Sequence, residues 1–321
     1  GCSCNYNSTG ENGGVMDTFE IRDERLFEVF DRDAKLETLA DGFIFTEGPI
    51  WHPDEHWLVF SDIISSIQYR WSQSDGLSVF RQPSNMANGN FFDGAGHIVS
   101  CEHATSRLVR HDHDGRVVTT LASHFGGIPL NSPNDVVVDL LGRIWFTDPT
   151  FGRIRDDVGI LRPVELNHQG VYRLDPDGRL DLVVDDFKQP NGLCLSRDER
   201  HLFVNDSADP CIRRFDISPD GSLTNDQLWA RVDGEQEGRK WVPDGMKVAD
   251  TDHIFCNGPN GVHVFDSAAI CLGVINFPEK STNFCFGGPA RDWLYVTASS
   301  RLYRIRTKIS GPSMIPAIKS V

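Results

Sequence analysis

Four short segments carry side-chain oxygens at matching points of the chain: Glu47-Gly48-Pro49, Pro133-Asn134-Asp135, Pro190-Asn191-Gly192 and Pro243-Asp244-Gly245. Carboxylates and amides together, with no Cys or His among them, suit a hard divalent cation bound through oxygen. Calcium fits first, because it tolerates irregular oxygen shells completed by water. Magnesium or manganese could replace it, and zinc is less natural without nitrogen or sulfur ligands. Two carboxylates would also neutralise the ion. Taken singly, Asn-Gly and Asp-Gly are turn formers and nothing more. Shared phase across four segments is more than turns require, and it points to a site.

Residues spaced by 87, 57 and 53 positions must be brought together by a repeating scaffold. One apolar run ending in a small or polar residue recurs six times, beginning at His56, His97, Arg143, His201, His253 and Asp292. Each is followed by a run of period 2 such as GVYRLDPDG, which reads as a half-buried strand entering a hairpin. A third run follows most of these, and a further strand precedes each first run, as in DVVVDLLG. Four strands repeated six times predict an all-β, six-bladed propeller with four-stranded blades. The sixth unit lacks its last strand after RLYRIRT, while Ala34–Ala40 is a spare strand near the N-terminus. It is expected to close the last blade, leaving no free edge there. Residues 17–321 then form one domain, with 1–16 a Gly, Asn and Ser-rich lead-in that is disordered or derived from a tag.

With 46 acidic against 31 basic residues, the net charge of −15 argues against nucleic acid and anionic membrane as partners. No apolar stretch is long enough to span a bilayer. Of eight cysteines, Cys101, Cys194, Cys256 and Cys285 fall in apolar strand runs and read as reduced, buried hydrophobes. Cys2 and Cys4, and the sequon at Asn7, lie in the lead-in and carry little weight. A cytoplasmic location is expected, with the periplasm as the alternative. The chain is expected to be a monomer or dimer.

EGP-x-W, SNMANGN with CEH, NSPNDVVV with WFTDP-x-FG, QPNG and VPDG together resemble the senescence-marker-protein (regucalcin), gluconolactonase and luciferin-regenerating-enzyme family. The resemblance runs from about Leu26 to Thr307 and implies the same six-bladed propeller. It implies that Glu47, Asn191 and Asp244 bind one divalent metal, with Asn134 nearby contacting water, substrate or the ion. It also implies hydrolysis of sugar-acid lactones such as gluconolactone, with Asp244 as general base. Relatives often carry a Lys-Arg pair shortly before SPND, where this chain has Ile128-Pro129. In the second blade, Asn90, Glu102 and His103 are expected to face the substrate, His103 being either a proton carrier or a structural histidine. His111 and His113 read as a solvated hairpin, Asn283 as a weaker lining residue. Asp148, Asn205 and Asp206 are expected to support the site from behind. The alternatives are a calcium-dependent phosphotriesterase or paraoxonase-like hydrolase, and a non-catalytic propeller that binds a protein.

Overall fold

A computed structural model describes residues 15–116, 118–234 and 241–312 of the protein. The lead-in before Val15, with Cys2, Cys4 and Asn7, lies outside the described residues. Each apolar run becomes the second strand of a blade and is buried on both faces, as in Trp57–Asp62 and Ile144–Asp148. Outermost strands such as Gly76–Arg81 are mostly exposed, which is why their sequences alternate or turn polar. Blade five is the exception, its fourth strand Cys271–Asn276 being apolar and mostly buried.

Six antiparallel sheets surround a central channel, and the chain makes each from the inside outward. The inner strands begin at Thr46, Ala87, Val136, Pro190, Met246 and Ser281. Blade six is completed by Glu37–Asp41, paired antiparallel to Arg301–Arg306. The N-terminal closure is as expected, with the strand starting three residues later than the sequence pattern placed it. A second N-terminal strand, Phe19–Ile21, adds a fifth strand to blade five by pairing with Cys271–Asn276. Its three residues carry too little alternation to be seen in the sequence. Between the two strands, a short turn of 3-10 helix at Glu24–Glu28 is capped by Asp23, whose side chain accepts the Arg25 N–H. Leu26, Val29 and Phe30 there are fully buried against Phe255, Leu272 and Phe277.

The core is a chain of apolar clusters between neighbouring sheets. Trp145 and Tyr172 of blade three, for example, share a cluster with Leu193, Val204 and Phe215 of blade four. All six described cysteines are free thiols, five of them buried. The two histidines expected in a solvated hairpin divide. His113 is in an exposed turn, whereas His111 is buried and bonded to Ser100 Oγ at 2.9 Å. No helix among the described residues is long and apolar enough to cross a membrane.

Candidate functional site

A glycine follows Glu47, Asn88, Asn191 and Asp244, though not Asn134, and it explains the recurring dipeptide. A Cβ on Gly48 would lie 2.1 Å from Asn88 O, and one on Gly89 2.5 Å from Asn134 O. On Gly192 it would lie 2.0 Å from Asp244 O, and on Gly245 2.1 Å from Asn283 Oδ1. Each glycine is thus the point where one inner strand touches the next around the channel, and no larger residue fits. The backbone bonds Gly89 N–H to Asn134 O (2.9 Å) and Gly245 N–H to Thr282 O (2.8 Å) tie the same ring. These dipeptides are not hairpin turns.

The residues before Gly48, Gly89 and Gly192 are re-aimed by a break in strand register. Pairing shifts between Glu47 and Ile50, between Ala87 and Asn90, and between Pro190 and Leu193. Such bulges turn a side chain out of the regular alternation. A second device repeats with them. The aspartate ending the second strand accepts a backbone N–H three residues before the site residue: Asp62 from Ile44 (3.0 Å), Asp148 from Asn131 (2.8 Å) and Asp206 from Lys188 (2.8 Å). Asn205 adds to this by donating to Asp244 O at 2.5 Å and accepting the Gly192 N–H at 3.1 Å. Burial drives the Asp148 carboxyl up to about 7 despite its backbone donors.

Together these devices bring Glu47, Asn134, Asn191 and Asp244 around one cavity of about 170 Å³. The carboxyl groups of Glu47 and Asp244 are in hydrogen-bonding contact, although 197 residues separate them in sequence. Burial raises both, Asp244 well above the usual carboxylate range, and Glu47 further opposes ionisation of Asp244 through its charge. Asn191 directs its amide N–H to Ser207 Oγ (2.9 Å), which leaves its Oδ1 buried with no partner among the described residues. Asp135 sits just below, held by the Val136 N–H, and faces the Lys247 charge. Asn283 donates to Glu47 Oε2 at 3.0 Å and accepts from Lys247 Nζ at 3.1 Å. It therefore braces the floor of the cavity.

Blade two arranges its residues differently from the sequence expectation. His103 does line the cavity. Burial lowers it to about 4, so it is neutral at physiological pH. Its Nδ1–H donates to Val158 O (2.7 Å), and Nε2 accepts the Asn88 amide at 3.0 Å. Asn88 is thereby fixed with Oδ1 buried and unpartnered in the cavity wall. Asn90 does not line the cavity. Its amide is spent on Gly48 O, Ser61 Oγ and Asn88 O, and its Oδ1 on Gln68 and Ser100.

Glu102 is also outside the cavity lining, fully buried and held by Arg81 (2.5 Å) and Arg107 (2.7 Å). Burial works to raise it, but hydrogen bonds from Arg81, Thr105 and Arg107 prevail and hold it below the usual range. This contribution to stability is therefore present above pH about 4.5 and lost as pH falls below it. Glu102→Gln is expected to destabilise the fold by about 3 kcal/mol at neutral pH, because Arg81 stays buried without its counterion. Urea denaturation at pH 7.5 and pH 4 checks it, the gap between wild type and variant narrowing in acid.

The remaining lining comes from segments outside the repeat. The interval from Arg143 to His201 is the longest between repeats, and its excess forms an excursion after Asp148. Buried Arg153 pins it to Leu130 O and Asn131 O (both 2.7 Å), and Arg162 reaches His103 O at 2.6 Å. It delivers Phe151, Arg155 and Val158 to the cavity, while Lys280 enters from the turn before blade six. Ile128 and Pro129 form part of a small hairpin with His124 and Phe125, outside the lining.

Among the described residues, no group of three or more His, Cys, Asp or Glu is placed to hold a metal ion. The donors on offer are two carboxylates and amide oxygens, two of the latter lacking partners. That set fits a hard cation, because carboxylate and amide oxygens are its usual ligands.

The fold is a six-bladed propeller whose inner strands gather two buried acids, Glu47 and Asp244, at one cavity. The chain belongs to the SMP-30/Gluconolactonase/LRE-like family, whose sequence model matches residues 45–300. It is 31% identical to a gluconolactonase of Zymomonas mobilis, over 94% of this chain and 89% of that one. A pentonolactonase of Haloferax volcanii is 27% identical over 79% of this chain and 81% of its own. Among solved structures, a gluconolactonase of Xanthomonas campestris superposes with a TM-score of 0.83 at 33% identity, covering 91% of this chain and 95% of that one.

Proposed function

We propose that this lactone hydrolase opens sugar-acid lactones, D-glucono-1,5-lactone among them, in the cavity between Glu47 and Asp244. The observation that carries it is the contact between two buried carboxyls beside amide oxygens that lack partners among the described residues. Glu47, Asp244 and Asn191 would hold a divalent cation, calcium by preference, with Asn134 beside it. When bound, the ion supplies Lewis-acid polarisation of the lactone carbonyl. Asp244 takes the proton of the attacking water and returns it to the ring oxygen as the acyl C–O bond breaks. One water is consumed and the open hydroxy acid is the product. A carboxylate beside a cation is a weak base, and a strained ester needs no stronger one.

Neutral His103 keeps Asn88 turned to the substrate. Phe45, Ile63 and Val158 line the same space and exclude bulk water from the reacting carbonyl.

Dialysis against EDTA is expected to lower lactone hydrolysis at least about a hundredfold, with recovery on adding calcium. Calorimetric titration with calcium should show one site in the wild type and none in Glu47→Gln. Full activity in the chelated protein would remove the ion from the reaction. Turnover of a phosphotriester without turnover of gluconolactone would replace the lactone reading.

A further inference from the structure

The opposite ends of the inner strands enclose a second cavity, of about 390 Å³, at the far mouth of the channel. That volume is within the range of small-molecule sites, which are mostly apolar with a few convergent polar groups. Its walls are largely apolar, built from Ile50, Phe91, Val137, Leu195, Val248 and Phe286. Leu140 and Leu141 at its edge are 70% and 67% exposed, more apolar surface than a closed channel end needs.

Charged residues line it too, and their partners differ. Asp139 is held by Arg143 (2.6 Å) and the Trp145 indole (3.1 Å), and Glu199 accepts the Leu140 N–H at 2.9 Å. Arg197 is paired with Asp250 at 3.1 Å. Arg291 has no ion pair among the described residues, and Lys247 Nζ donates to the neutral acceptors Met246 O (3.2 Å) and Asn283 Oδ1 (3.1 Å). The charge of Asp135 also acts on Lys247, without an ion pair between them among the described residues. The Trp51 indole N–H, in a residue of the same wall, is buried without an acceptor among the described residues. Both anions are thus satisfied, while two cations and a donor keep capacity to spare.

We propose that this far cavity is a second ligand site, taking an amphipathic monocarboxylate. Its apolar body lies against the inner-strand walls, and its carboxylate meets the Lys247 ammonium. The site is separate from the lactone cavity, and its ligand would touch a lysine that is joined to Glu47 through the single side chain of Asn283.

Calorimetric titration of the full chain with octanoate tests this, with octan-1-ol as the uncharged probe of equal length. One saturable octanoate site is expected, with octanol at least about tenfold weaker. Lys247→Met should lower octanoate affinity at least about tenfold and bring the two probes together. In case that variant folds poorly, Gly94→Trp is the second. Gly94 stands at the exposed rim of the cavity, and a Cβ there meets no atom within 4 Å, so an indole can stand across the mouth without strain. It should abolish binding of both probes. No saturable octanoate binding by the wild type, or undiminished binding by Gly94→Trp, overturns the proposal. Binding that appears only after residues 313–321 are removed also overturns it, by assigning the cavity to that segment.

Discussion

Asp244→Asn is expected to lower kcat for gluconolactone by at least about a thousandfold, within the usual range for loss of a general base. The replacement is nearly isosteric, so the contacts that place residue 244 survive. Its backbone O still accepts from Asn205, and its N–H still donates to Asn257 O. What disappears is one of two buried carboxyls in contact, both made harder to ionise by burial. Removing it also removes repulsion in the metal-free protein. The variant should therefore melt at or a few degrees above the metal-free wild type near neutral pH, where the wild type must carry both acids in one dry space.

Calcium is expected to reverse that order. Ligand that binds only the folded state stabilises by about 2.7 kcal/mol at a hundredfold excess over its Kd. The wild type gains this and Asp244→Asn does not. Thermal melts with and without calcium, alongside initial rates, test both halves. Near-normal turnover in a folded Asp244→Asn enzyme would take the proton transfer away from this residue.

The propeller was readable because its strands differ by depth: continuous apolar runs for buried second strands, alternating runs outside them. That Glu47, Asn134, Asn191 and Asp244 line one cavity was readable through phase, since each stands within two residues of the start of an inner strand. Phase fails where the backbone departs from strict alternation. Asn88 and Asn90 share one face by a period of 2, yet the bulge after Ala87 sends Asn88 into the cavity and Asn90 toward Gln68 and Ser100. The signal that could have separated them is the following glycine, present at 48, 89, 192 and 245 and absent after Asn90. Glu102 misled for another reason. It stands at the phase of Asp62, Asp148 and Asp206, which support the site and do not enter it. Phe151 and Arg155 come from an excursion with no counterpart in other blades, so no repeat could announce them.

Ring closure carries the other large effect, and two truncations separate it from ordinary loss of core. A chain beginning at Ala34 keeps Glu37–Asp41 but loses Leu26, Val29 and Phe30, all fully buried. Burying such side chains stabilises by roughly 1.5–3 kcal/mol each, so this chain should melt well below the full one. A chain beginning at Phe43 loses the closing strand as well. Its Arg301–Arg306 strand then becomes an unpaired edge, with Tyr303 and Leu302 losing the backbone partners Thr38 and Ala40. Leu39 and Ala40 also leave the cluster around Phe60 and Leu302, which joins blade six to blade one. What still ties those two blades is a seam near the channel, where Thr46 meets Ser299 and Thr282 and Asn283 meets Glu47, together with side-chain packing such as Trp51 on Tyr295. No strand pairing backs that seam on its outer side once the closing strand is gone. The second truncation should lose at least a further ~10 °C in melting temperature or fail to fold, and it should aggregate through the exposed edge. Equal melting temperatures for the two truncations would show that the inner seam and side-chain packing hold the ring shut, and that the N-terminal strand is dispensable.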